Sequence, residues 1–187
     1  DAEYSKLTKA VTDLEAKREA IKARGAITLI QQEKKNSPAM THILSRGAYA
    51  KLGEEVAAAP PAALHDLPEG APPNRLGLAE WVVDPANPLT ARVTVNRFWQ
   101  QVFGRGIVTT PEDFGVAGAL PTHPELLDWL AVDFRESGWD VKRCFKQMLM
   151  SATYRQSAQA SAEKLEKDRD NALLSRGPRF RMDAEMV

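Results

Sequence analysis

From Glu3 to Arg24, the apolar residues Leu7, Val11, Leu14 and Ile21 recur at spacings of four, three and seven among Ala, Lys and Glu. This heptad-like stripe predicts a long amphipathic helix. Gly25, following Lys22 and Arg24, is its expected C-terminal stop. Roughly three heptads make a weak independent coiled coil, so the stripe calls for a partner surface: a companion domain of the same protein or a second copy of the chain.

Beyond Gly25 the pattern changes. Ala26-Ile27-Thr28-Leu29-Ile30 and Thr41-His42-Ile43-Leu44 are β-prone runs, and the polar stretch Lys34-Lys35-Asn36-Ser37-Pro38 between them suits a reversing loop. A small hairpin formed from these two runs is the expectation. Residues 57–73 then carry five prolines, at 60, 61, 68, 72 and 73. Fixed φ angles and missing N–H groups oppose both helix and central strand there, which predicts an extended surface connector.

Helical signals dominate from Asn74 onward. Asn74 can cap a helix over Arg75 to Val83, and Asp84-Pro85 ends it. Asn87-Pro88 reads as N-cap and N1 of a helix through Val93, Trp99 and Val102 that Gly104 terminates. Thr110-Pro111-Glu112-Asp113 predicts a further short turn. Thr122-His123-Pro124-Glu125 has the form of a capping box ahead of the apolar face Leu126, Leu127, Leu130 and Phe134. After Gly138-Trp139, Asp140 caps a helix carrying Val141, Phe145, Met148 and Leu149, expected to pack on the helix before it. Ala158 to Asn171 is polar and reads as an exposed helix or linker. The fold class is therefore mainly α, a compact multi-helix domain. Its organisation is a helical arm over residues 1–24, a hairpin and Pro-rich connector over 25–73, and a helical domain over 74–187.

The 25 basic and 25 acidic residues cancel, so no global positive field favours nucleic acid or anionic lipid. No run of about 18 apolar residues suits a bilayer core. The opening on Asp1 and the unfinished helix start at Met182-Asp183-Ala184-Glu185-Met186-Val187 suggest a segment of a larger protein. Cys144 is the only cysteine, which excludes an internal disulfide, a thiolate-rich zinc site and covalent c-type haem in this segment. Its apolar neighbours at helical spacing predict a buried, inert thiol.

Several strings, in order, resemble the planctomycete-type domain of unknown function 1553: Arg75-Leu76-Gly77-Leu78-Ala79, Asp84-Pro85-Ala86-Asn87-Pro88, Asn96-Arg97-Phe98-Trp99, Phe103-Gly104-Arg105-Gly106, His123-Pro124-Glu125-Leu126-Leu127 and Ser151-Ala152-Thr153-Tyr154-Arg155-Gln156. Thr41 to Tyr49 and Gly53 to Val56 resemble its lead-in, and Arg176 to Glu185 its continuation, so the likeness spans roughly residues 40–187. In that family the domain usually follows a companion domain of unknown function, and often a c-type cytochrome module, in a secreted polypeptide. The resemblance implies an extracytoplasmic (periplasmic or secreted) address and a haem held elsewhere in the parent protein. It brings no catalytic residues with it.

Candidate ligand residues are Arg92, Asn96, Arg97, Trp99 and His123. Arg92 and Asn96, four apart, share a helix face. Arginine forks and a tryptophan ring could orient a carboxylate, a sulfate or a carbohydrate; the competing and favoured reading has them tying the helix to neighbouring carbonyls around a buried Trp. The histidines at 42, 65 and 123 lack metal-binding spacing, which favours helix-start packing for His123. Glu112 and Asp113 are formally paired acids, yet near-helix acids ordinarily complement the helix dipole. Trp81, Trp99, Trp129 and Trp139 read as core rather than as a sugar-stacking platform. The reading that follows is a non-catalytic structural or interaction module of an extracytoplasmic, cytochrome-associated protein. The alternative is part of a polysaccharide-processing or redox enzyme whose site is shared with a companion domain.

Overall fold

The protein is described from a computed structural model, which covers residues 2–25, 28–32, 41–181 and 184. The chain divides into two units, Asp1–Ala39 and Met40–Val187. The first contains α1, Ala2–Arg24, the helix that the heptad stripe predicts. Gly25 N–H closes it with bonds to the carbonyls of Ile21 and Lys22. Leu7, Val11, Leu14 and Ile21 are 54 to 71 % exposed.

The second unit opens with β1, Thr41–Leu44, paired antiparallel with β2, Leu52–Val56. A hairpin is present, but with a different partner from the one expected. Thr28 to Ile30 take no regular structure, while Ile27 and the 34–38 loop lie outside the described residues. The reason is local closure: a 3-10 turn over Ser45–Gly47, with Arg46 and Gly47 left-handed at φ 51° and 71°, reverses the chain within a few residues, and a short loop costs less entropy to close than a long one. Alternation marks a strand without naming its partner. The register runs Thr41 to Val56 and His42 to Glu55, then slips before Leu44 meets Leu52. Gly53 sits at that slip, where an added Cβ would press on the Ile43 carbonyl at 2.9 Å.

The Pro-rich segment forms turns without helix or strand and leads to α2, Arg75–Val83. As expected, the Asn74 side chain accepts from the N–H groups of Leu76 and Gly77. The connector is pinned to α2: the His65 ring stacks on Trp81 at 4.9 Å, and the Trp81 indole donates to the His65 carbonyl at 2.7 Å. Only glycine fits at 77, because a Cβ there would collide with the Pro72 carbonyl.

Helix α3, Thr90–Phe103, is the spine of the core. It starts two residues later than the Asn87-Pro88 signal indicates, because the Asn87 side chain accepts from Leu89 and Thr90 N–H ahead of the helix. Gly104 ends it in the left-handed region, φ 79°. Val95, Trp99, Val102 and Phe103 pack with Ile107 and Val108 of the following loop, with Leu127, Leu130 and Phe134 of α4 (Pro124–Glu136), and with Cys144 and Met148 of α5 (Val141–Met150). Phe98 meets Phe134 edge-on and Phe145 at 4.9 Å. The expected pairing of α5 chiefly with α4 is not what occurs: α5 leans more on α3, and Val141 and Leu149 face outward while Cys144 and Met148 point in. The α4–α5 turn is tight, with Gly138 and Trp139 both left-handed, and the Asp140 carboxylate caps α5 through Arg143 N–H.

The Thr122 capping box does not form. Thr122 N–H and hydroxyl both donate to the Ile107 carbonyl, at 2.9 and 3.3 Å, and α4 begins at Pro124 with His123 at the N-cap providing no side-chain bond. Two further short helices, α6 (Ala152–Arg155) and α7 (Ala162–Lys167), are capped by Ser151 and Ser161. The described residues are thus mainly α-helical, with a single small two-stranded sheet. None of their helices is long and apolar enough to cross a membrane.

Candidate functional site

Three of the five candidate ligand residues are committed to the fold. Asn96 is fully buried, donating to the Val108 carbonyl and accepting from the Val108 N–H, both at 2.9 Å. It satisfies an otherwise orphaned backbone pair where the loop crosses α3. Arg92 reaches across to α4, donating from Nε to Asp128 at 2.6 Å and from Nη1 to the Pro88 carbonyl at 2.6 Å. That hydrogen bond holds the Asp128 carboxyl below its ordinary value. Trp99 is buried and stacked on Phe103 with ring centroids 4.0 Å apart. Arg92 and Asn96 do share a face of α3, but that face looks toward the protein.

The other two point to surface clefts, and to different ones. Arg97 is exposed on a cavity with Pro111, Glu112, Phe180 and Arg181. His123, half-buried, contacts the Thr122 hydroxyl at 3.0 Å and lines a small cleft with Trp99, Ile107 and Leu174. Asp113 turns its carboxylate to the Gly115 N–H at 2.7 Å, so it does not pair with Glu112 as a second acid. Of the tryptophans, Trp81 and Trp99 are buried and Trp139 is packed against Phe134. Trp129 corrects the core expectation, being 56 % exposed. Among the described residues no group of His, Cys, Asp and Glu stands close enough to hold a metal ion. Cys144 is buried, and desolvation first, then the nearby Asp133 charge, pushes its thiol up. A single sealed thiol of this kind does not fit covalent haem attachment.

A larger polar feature lies at the C-terminal end of α3. There the loop after α7 is built around Asp168, a buried carboxylate that accepts from the N–H groups of Leu173 and Ser175. Desolvation raises the Asp168 carboxyl, but these donors outweigh it and leave the group below its ordinary value. Arg176 donates to the carbonyls of Asp168 and Arg169 at 2.7 and 2.8 Å, and exchanges backbone–amide bonds with Asn171. Asn171 and Leu174 are left-handed at φ 54° and 55°; for Leu this costs about 1 kcal/mol, which the surrounding hydrogen bonds offset. The segment that follows, which has no regular secondary structure, is seated by two glycines. Phe180 packs over Gly104, where a Cβ would lie 2.9 Å from its ring, and Gly177 N–H donates to the Ser157 carbonyl.

Residues 74–187, from the cap of α2 onward, match the PSD1 family model, described as a protein of unknown function (DUF1553). The chain belongs to the PSD1 family. No curated protein and no solved structure matches it. Within the PSD1 domain, the arginines around the Asp168 loop escape sequence reasoning because Arg105 and Asp170 are 65 residues apart in the chain. The one local signal was the arginine-rich string Arg176 to Arg181, which reads from sequence only as a continuation of the family pattern.

Proposed function

We propose that this PSD1 chain is a non-catalytic interaction module of an extracytoplasmic, cytochrome-associated polypeptide, docking through α1 onto a companion domain of that polypeptide. The observation that carries the reading is the fate of the candidate residues: Asn96, Arg92 and Trp99 spend their polar and aromatic groups on the fold itself. A fully buried amide that holds a backbone N–H and carbonyl of its own chain is out of a substrate's reach. Supporting it, α1 shows four large apolar side chains on one stripe, each more than half exposed. A helix of this kind draws its stability from burial against a partner. The extracytoplasmic address and the haem-bearing neighbour rest on the family resemblance alone.

Tryptic cleavage tests the docking. Lys9, Lys17, Arg18 and Lys22 flank the stripe, so a docked α1 is shielded in the full-length polypeptide. Leu7→Asp combined with Leu14→Asp should release it and restore cleavage at these sites. Equal cleavage of the wild-type and substituted polypeptides would count against the proposal.

A further inference from the structure

The 25 basic and 25 acidic residues of the chain balance, yet their distribution over the PSD1 domain is uneven. Beside the Asp168 loop lies a cavity of 370 Å³ whose charged lining is Arg105, Arg169, Arg176 and Arg179 against one carboxylate, Asp170. A second cavity, of 420 Å³, shares Gly104 and Phe180 with the first and carries Arg97 and Arg181 against Glu112. The two border each other at Gly104 and Phe180, beside the C-terminal end of α3, as the two halves of an arginine-lined trench.

The arginines divide by use. Arg176 serves the loop, donating to the carbonyls of Asp168 and Arg169. Arg105 leans on Asp170, at 3.3 Å from its carbonyl and 3.7 Å from its carboxylate. Arg169 and Arg179 are exposed and form no ion pair among the described residues, and the same holds for Arg97 and Arg181. Guanidinium groups gathered without matching carboxylates repel one another unless an anion enters between them. A loop over-determined by Asp168, Asn171 and Arg176 holds the arginine backbones in place before any ligand arrives.

We propose that this trench binds an anionic polysaccharide, with Arg169 and Arg179 gripping carboxylate or sulfate groups and Arg97 and Arg181 continuing the contact along the second cavity. The guanidinium fork matches both oxyanions in bidentate fashion. Side-chain amides stand where sugar hydroxyls would need partners in the second cavity, at Gln100 and Gln101. The trench offers no exposed ring for stacking bases, since Phe103 is buried and Phe180 is folded over Gly104, and single-stranded nucleic acid depends on such platforms.

Calorimetric titration of the whole chain with dextran sulfate, polygalacturonate, neutral dextran and an oligonucleotide of comparable charge tests this directly. Binding to dextran sulfate assigns sulfate, and binding to polygalacturonate assigns carboxylate; either supports the trench if neutral dextran fails to bind. Arg169→Gln with Arg179→Gln should weaken that binding by about tenfold or more, as expected for losing two charge-assisted contacts. Lys142→Gln with Lys146→Gln, exposed on α5, should leave it unchanged, and melting curves of both variants should overlay the wild type. The proposal fails if neither anionic polysaccharide binds, if both pairs of substitutions weaken binding equally, or if the oligonucleotide binds as tightly as the polysaccharide.

Discussion

Asn96 and Val108 exchange two hydrogen bonds of 2.9 Å, fastening the middle of α3 to the loop that delivers Ile107 and Val108 into the core. Gly106 keeps that approach open, because a Cβ there would meet the Asn96 side chain at 2.8 Å. Asn96→Ala strands a buried N–H and a buried carbonyl, each costing about 1 to 3 kcal/mol, so denaturant unfolding should report a loss of about 3 kcal/mol. Asn96→Asp adds a sharper check. A protonated Asp can still donate to the Val108 carbonyl, whereas an ionised one cannot. Burial raises its folded pKa, so the stability of this variant should fall as pH rises above about 4, the unfolded carboxylate value. A variant whose stability rose with pH over that range would contradict the assignment.

Trp99 and Trp129 should behave oppositely. Trp99 is buried on Phe103, so Trp99→Ala should cost about 3 to 5 kcal/mol by thermal or denaturant unfolding. Trp129 stands more than half exposed on α4, and Trp129→Ala should stay within about 0.5 kcal/mol. A loss below about 1 kcal/mol at Trp99 would return that ring to the ligand-stacking reading.

The Asp168 loop carries a pH dependence of definite sign. Its carboxyl titrates below the ordinary value in the folded state, so the stabilisation is fully present above about pH 4 and is lost as pH falls through the lower folded value. Amide exchange at Leu173 and Ser175, whose N–H groups bond that carboxylate, should accelerate on acidification beyond the intrinsic trend. Asp168→Asn should flatten the response. Protection at both amides that is insensitive to acid would refute the role given to the carboxylate.

Features whose physics is local were legible in the sequence. The Asn74 cap, the Gly104 stop, the Asp140 cap and the α1 stripe each depend on residues within a turn or two, and each stands where the pattern indicates. Features settled by distant partners were not. Thr122 has the right spacing for a capping box, but the Ile107 carbonyl, 15 residues away, takes its hydroxyl. The strand at Thr41–Leu44 was readable and its mate was not, because alternation says which face is buried and nothing about pairing. The structural use of Arg92 and Asn96 was the favoured reading, although the partners Asp128 and Val108 could not be named from sequence. The arginine trench was invisible, since the fold alone brings Arg97 and Arg105 beside Arg169 to Arg181.

The central claim, that this PSD1 chain works by docking, is tested most directly by hydrogen exchange on residues 7–21 of α1, measured in the isolated chain and again in the full-length polypeptide. The stripe of Leu7, Val11, Leu14 and Ile21 is exposed here, so weak protection is predicted for the isolated chain at concentrations too low for self-association. Strong protection of the same amides is predicted in the full-length polypeptide. Equal, weak protection in both would contradict docking on a companion domain.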